Sequence, residues 1–199
     1  MSLERILPFS KTLLRSVLQA GDIAIDATVG NGHDTVFLAE QVGRSGKVFG
    51  FDIQKEAIEN TKARLKEKNL LDRVQLFQTS HANMLETIPK DVYGKVKAAV
   101  FNLGYLPGGD KSIVTKAPST IAAIKHLLQI STVGGLIVIV VYHGHEEGKR
   151  ERDELLAYVT KIEQSKADVL RYEFINQKNH PPFIIAIEKN SQLLINDIL

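Results

Sequence analysis

The sequence has no cysteine among its 199 residues, which excludes a disulfide framework, a thiolate nucleophile and zinc sites of the cysteine type. It has no long apolar run either. The longest, residues 136–141, falls far short of a membrane span, and the N-terminus lacks the charged-then-apolar layout of a secretory signal. The expectation is a soluble, cytoplasmic protein with no membrane partner. No Pro/Gly/Ser-rich linker, internal repeat or low-complexity tract divides the chain, and 44% of it is hydrophobic, so residues 1–199 are expected to form one domain around one core. Excess charge is small as well: a net +2 permits a polyanionic partner without demanding one, and any nucleic-acid contact must be a local patch.

What is present is an alternation of short apolar strands with longer amphipathic segments, the pattern of a parallel sheet flanked by helices. Helical spacing runs over 10–19, with Leu13, Leu14, Val17 and Leu18 on one face. Strands are expected at 23–27, 47–51, 74–78 and 98–101, with helices over 34–42 and 54–68. A helix over 118–128 precedes a turn at Gly134-Gly135, after which "LIVIVVYHGH" (136–145) is a buried central strand opening into a polar loop, and 150–165 is helical. The closing strands, 167–174 and 183–188, are joined by "INQKNHPP", which is too short for a crossover helix, so they should be antiparallel neighbours. Five βα units and a closing hairpin predict an α/β fold with a seven-stranded, mostly parallel sheet, an antiparallel C-terminal strand and helices on both faces.

The chain leaves its first strand through "DATVGNGHDT", residues 26–35. Strand, Gly30-Asn31-Gly32, then helix places backbone N–H groups and the positive end of a helix dipole beside a ligand, and glycine allows close approach. Twenty residues after Gly32, Asp52 ends the second strand, where a carboxylate can accept both hydroxyls of a ribose. A dinucleotide fingerprint needs a third glycine where this chain has Thr35, and Asp26 would repel a pyrophosphate yet suits a sulfonium ligand bearing an ammonium group. S-adenosylmethionine therefore fits better than a nicotinamide dinucleotide. The spacing of Asp26, Gly30, Gly32 and Asp52 is similar to the first two motifs of class I methyltransferases, with Thr28 replacing the usual first glycine. The cofactor set expected on this pattern is Asp26, Gly30, Asn31, Gly32, Thr35, Asp52, Ile53 and Gln54, with Ser80 and His81 of "TSHANM" flanking the adenine beside Asn83, and Asn102 and Leu103 after strand four.

Two further stretches carry polar groups to the carboxyl edge of the sheet. "FNLGYLPGGDK" (101–111) ends strand four, and Asn102-Leu-Gly-Tyr105 resembles the Asn-Pro-Pro-Tyr motif of amino-methylating enzymes, in which the Asn holds the nitrogen to be methylated. "VVYHGHEEGKRER" (140–152) brings Tyr142, His143 and His145 to the same edge. Asn102, Tyr105, Tyr142 and His143 are the expected catalytic residues, with Tyr105, Tyr142 or His143 fixing the base or accepting a proton. His143, His145, Glu146 and Glu147 also resemble a metal set, but no second ligand cluster accompanies them and methyl transfer needs none, so no metal is expected. Lys149, Arg150 and Arg152 read as a solvated helix face or, more sharply, as a phosphate contact.

From about Phe9 to Glu188 the chain resembles the YtqB-like family of small bacterial proteins labelled rRNA methylases, through "DATVGNGHDT", "FDIQ", "FNLGYLPGGDK" and "YHGHEEGKRE". The resemblance implies a Rossmann-like class I methyltransferase fold and methylation of tRNA at the wobble uridine, converting 5-aminomethyl-2-thiouridine to its 5-methylaminomethyl form. With no appended RNA-binding domain, either a second subunit of a homodimer adds surface or the anticodon loop is read locally. Three alternatives stay open: a methyltransferase of rRNA or of a small amine, a nicotinamide-dependent oxidoreductase, and a non-catalytic binding module of the same fold.

Overall fold

The computed structural model describes residues 3–106, 108 and 113–191. Pro107 and residues 109–111 of the "FNLGYLPGGDK" stretch, residue 112 and the tail from 192 lie outside the described residues. In chain order the elements are α1 (Ile6–Val17), β1 (Ile23–Asp26), α2 (His33–Val42), β2 (Lys47–Asp52), α3 (Lys55–Glu67), β3 (Val74–Gln78), α4 (Met84–Thr87), β4 (Val96–Leu103), α5 (Ala117–Ile130), β5 (Ser131–Val141), α6 (Glu146–Val159), β6 (Ala167–Tyr172) and β7 (Phe183–Lys189). Short 3-10 turns precede β3, α4 and β4.

The seven strands form one sheet in the order β3-β2-β1-β4-β5-β7-β6. β1 to β5 pair in parallel, and β7 runs antiparallel to both β5 and β6, as the short connection between the last two strands requires. The period-2 alternation of the strands builds two cores. Ala99, Phe101 and Leu103 of β4 face α4, α5 and α6 with Ile124, Leu127 and Leu155, while Ala98 and Val100 face α1, α2 and α3 with Leu14, Leu38 and Leu65. The strand order reverses between β1 and β4, and at such a switch point the crevice beyond the carboxyl ends of the strands is open to ligands.

Three expected boundaries move furthest. Helix α1 starts at Ile6 rather than residue 10, because Pro8 falls in the first turn, where the missing N–H costs nothing. Gly134-Gly135 is a bulge inside β5 and not a turn ahead of it: Val96 pairs with Ser131 but Ala98 pairs with Leu136. Gly134 has φ +70°, Lys97 Nζ donates to its carbonyl at 3.0 Å, and a Cβ on Gly135 would lie 2.8 Å from the Thr132 carbonyl oxygen. Helix α6 spans 146–159 rather than 150–165, with Gly148 of its first turn pressed beneath the loop that follows β5. A Cβ there would come within 2.6 Å of the Tyr142 carbonyl oxygen. No helix of the described residues is long and apolar enough to cross a membrane.

Candidate active site

A cleft of about 820 Å³ opens at the carboxyl ends of β1, β2, β4 and β5. Of the residues expected from the sequence, Gly30, Asn31, Asp52, Ile53, Gln54, Ser80, His81, Asn102, Leu103, Tyr105, Tyr142 and His143 line it. Asp26, Gly32 and Thr35 do not. The Asp26 carboxylate is fully buried beneath the turn, where it accepts from the Thr35 hydroxyl at 2.6 Å and the Thr28 amide at 3.2 Å. Burial, reinforced by the charge of Asp34, pushes its pKa up to about 7. Asp26 thus shapes the turn from below instead of facing a sulfonium. Gly32 begins α2 at φ +77°, and Thr61 of α3 packs so closely that a Cβ would meet its hydroxyl at 2.6 Å.

The turn's polar groups are largely spent inside the fold. The Gly32 amide donates to the Val29 carbonyl and the Gly30 amide to Asp52 Oδ2 at 2.9 Å, so neither awaits an anion as expected. Thr61 Oγ1 and Arg64 Nε hold the Gly30 and Asn31 carbonyls from α3. Thr28, at the place of the first glycine in the usual class I motif, has a use for its side chain: Oγ1 accepts from the Asn102 amide at 2.7 Å and ties the turn to the end of β4. That partner is 74 residues away, beyond the reach of local sequence reading.

Asp52 accepts one backbone amide on each oxygen, from Gly30 and from Gln54, and each oxygen keeps a lone pair for a ligand. Beside it Ile53 is 54% exposed, an apolar surface at the cleft wall. His81 is buried and donates from Nδ1 to the Ala27 carbonyl at 2.9 Å. Burial holds its pKa down, so the ring is neutral and Nε2 is an acceptor. Among the described residues that Nε2 has no partner. Asn83 does not join the site, because its side chain caps Thr79 at 3.1 Å. A ribose-seeking carboxylate, an exposed aliphatic wall and an orphaned acceptor at the lining fit the sugar, the adenine face and a nitrogen-bound donor of S-adenosylmethionine.

On the other side of the cleft, Asn102 Nδ2 donates to Asp34 Oδ2 at 2.6 Å, and Lys11 Nζ stands 3.8 Å from Asp34 Oδ1. The sequence reading passed over Asp34 and Lys11. An acid in the first turn of a helix already has a local explanation in the helix dipole, and nothing local points to its cleft-facing partner. Tyr142 is 37% exposed, and burial together with the Asp34 charge raises its pKa, so it stays a protonated donor. Tyr105 sets its ring edge against His145 at 5.8 Å.

His143 differs from its expected part. Nε2 donates to the Pro181 carbonyl at 3.0 Å and Nδ1 accepts from Arg152 Nη1 at 3.3 Å, while burial holds its pKa down. Both ring nitrogens are occupied, which leaves no lone pair for a substrate proton. The basic run of α6 is likewise engaged: Lys149 pairs with Glu146, Arg150 with Glu147 and Arg152 with Asp153, as a solvated helix face would. Glu151, unsuspected in the sequence, is buried and accepts from Thr115 Oγ1 at 2.6 Å and Thr120 Oγ1 at 2.8 Å; the Thr115 hydroxyl in turn accepts from the Gly104 amide at 2.9 Å. This chain of bonds closes the base of the loop that follows Asn102.

Residues 48–188 match the family model described as "Putative rRNA methylase". A chloroplastic protein of Arabidopsis thaliana named tRNA (mnm(5)s(2)U34)-methyltransferase is 37% identical over 186 residues, covering 88% of this chain. The chain spans 66% of that protein's length. The crystal structure of a "putative rRNA-methylase" from Clostridium thermocellum superposes with a TM-score of 0.91 at 43% identity, covering 95% of this chain and all of that one. A "putative methyltransferase" from Streptococcus mutans, in complex with SAH, does so with 0.85 at 38% identity, covering 94% of this chain and 99% of that one. Motifs, sheet order and these matches agree: the chain belongs to the rRNA methylase family of class I S-adenosylmethionine-dependent methyltransferases.

Proposed function

We propose that the protein methylates the exocyclic amine of 5-aminomethyl-2-thiouridine at the wobble position of tRNA, with S-adenosylmethionine as donor. The observation that carries the reading is Asn102. Its backbone is tied by Thr28 to the cofactor turn and its side-chain amide lies in the same cleft as Asp52 and His81, so a nucleophile bound to Asn102 lies close to the donor's site. The name of the Arabidopsis relative points to the wobble uridine of tRNA.

Asp52 and Gln54 would hold the ribose side of the cofactor, Ile53 and His81 the adenine. When bound, S-adenosylmethionine supplies a sulfonium methyl: a C–N bond forms as the C–S bond breaks, and the sulfur takes the bonding pair. The chain's own part is to prepare the nucleophile. An alkyl ammonium has no lone pair, so one proton must be lost to water before attack. Asn102 then orients the neutral amine through its amide oxygen, and the product leaves as a secondary ammonium. Tyr142, held protonated, is no base for the substrate's proton, and His143 has no free nitrogen. Most of the acceleration on this account comes from orientation.

The test is a panel of wild-type reactions with methyl-labelled cofactor against tRNA bearing 5-aminomethyl-2-thiouridine, unmodified tRNA, rRNA and small primary amines. Label is expected in the modified tRNA alone. Label in rRNA or in a free amine, with none in the modified tRNA, removes the wobble-uridine reading.

A further inference from the structure

Asp34 belongs to the first turn of α2, where an acid usually serves the helix dipole from the surface. This one is turned inward. Its side chain is 18% exposed, it lines the cleft, and it spends Oδ2 on Asn102, a residue of another element 68 positions away. A carboxylate has no hydrogen to give, so the contact fixes which end of the Asn102 amide faces it: the NH₂ group points at Asp34, and Oδ1 is the atom Asn102 can offer a ligand. Without that anion the amide could turn over at little cost and present donors instead.

We propose that Asp34 is the specificity-determining residue of the site. By locking Asn102, it makes that side chain present an acceptor and not donors to the cleft, so a nucleophile seated against Asn102 Oδ1 must bring an N–H group. The proposal rests on the amine-methylation reading and sharpens it. A primary amine supplies two N–H donors after losing its proton, one for Asn102 Oδ1 and one for the remaining lone pairs of Asp34. A ring nitrogen or a carbonyl oxygen would set lone pair against lone pair and be turned away. The Lys11 ammonium beside Asp34 Oδ1 shows that a nitrogen-bound donor fits against that face of the carboxylate. Asp34 acts on the reaction mainly through Asn102, as a positioning residue.

Two variants separate this role from simple support of the fold. Asp34→Ala removes the acceptor, whereas Asp34→Asn can still offer an amide oxygen to Asn102. The probe is an anticodon stem-loop with 5-aminomethyl-2-thiouridine, alongside the same stem-loop with unmodified uridine. Wild type is expected to bind the aminomethyl form at least about 10-fold more tightly, a preference of the size of a hydrogen bond to a charged group. Asp34→Ala should abolish the preference and slow single-turnover transfer by about 30-fold or more, while binding the unmodified stem-loop and S-adenosylmethionine within about 2-fold of wild type. Asp34→Asn should recover transfer to within about 5-fold of wild type. The assignment is overturned if Asp34→Ala keeps both preference and rate, or if its loss of rate follows a matching loss of cofactor affinity, which would place Asp34 on the cofactor instead. If wild type itself transfers nothing to the aminomethyl stem-loop, the amine reading falls and the proposal with it; if wild type transfers and the variants match it, only the proposal falls.

Discussion

At the scale of single residues, the cleft separates binding from orientation. Asp52 has lone pairs left for a ribose and accepts from the Gly30 and Gln54 amides, so Asp52→Ala is expected to weaken S-adenosylmethionine binding by about 10-fold or more, the loss of one to two charge-assisted hydrogen bonds. Asn102→Ala should instead cut single-turnover transfer by about 100-fold and leave the cofactor isotherm within about 2-fold. Calorimetric titration and quenched single turnovers check both. An unchanged cofactor affinity in Asp52→Ala would refute the ribose assignment, and unchanged turnover in Asn102→Ala would remove that residue from the mechanism. The sequence made the cleft position of these two legible because both are polar residues at the carboxyl ends of parallel strands, although Asp26, at the end of β1, turns beneath the loop instead. His143 misled for the converse reason. Its partners, Pro181 and Arg152, come from a distant loop and from α6, and nothing in "YHGH" records that both nitrogens will be taken. Thr28 was read as a departure from the glycine pattern, and its hydroxyl's service to Asn102 becomes visible only when β1 and β4 lie side by side.

At the scale of elements, alternation and helical spacing predicted nearly every strand and helix, because the central strands bury both faces and the helices pack one face on the sheet. They failed where a feature depends on the neighbouring element. The glycine pair 134–135 has the local signature of a turn, yet β4 continues past it and Lys97 secures the bulge, so β5 starts directly after α5. The Glu151 clamp is another such feature. It joins α6 to Thr120 of α5 and, through Thr115, to the loop that carries Tyr105 and Leu106 over the cleft. Glu151→Ala leaves two hydroxyls without their acceptor and is expected to cost about 1–3 kcal/mol of stability and to raise the KM for RNA as the loop base loosens. Glu151→Gln keeps one acceptor oxygen and should lose less. Denaturant melts and steady-state kinetics of the two variants distinguish this from a passive buried acid, for which KM would not move.

At the scale of the whole molecule, the buried Asp26 links folding to pH. Its carboxyl ionises near the ordinary 3.8 in the unfolded chain but at about 7 in the folded one, so between those values the unfolded state binds fewer protons and stability falls as pH rises. The contribution is fully present below about pH 3.8, is lost progressively up to about 7 and is level above that. Urea denaturation of wild type and Asp26→Asn, at pH 4.5 and 7.5, should show the wild type losing ground to the variant by more than about 1 kcal/mol across the interval. A difference independent of pH would contradict the assignment. The seven-stranded, mostly parallel sheet with its antiparallel close followed from the rhythm of the chain, whereas the choice of RNA did not. No composition or spacing encodes a wobble uridine, and that part of the account rests on a relative's name and on one amide at the end of β4.

The most direct measurement is nucleoside mass spectrometry of tRNA from a strain lacking this gene, after incubation with the purified protein and S-adenosylmethionine. The account predicts that 5-aminomethyl-2-thiouridine is consumed and reappears heavier by one methyl group, while every other nucleoside keeps its mass. An undiminished 5-aminomethyl-2-thiouridine pool, in the presence of protein that binds the cofactor, would contradict it.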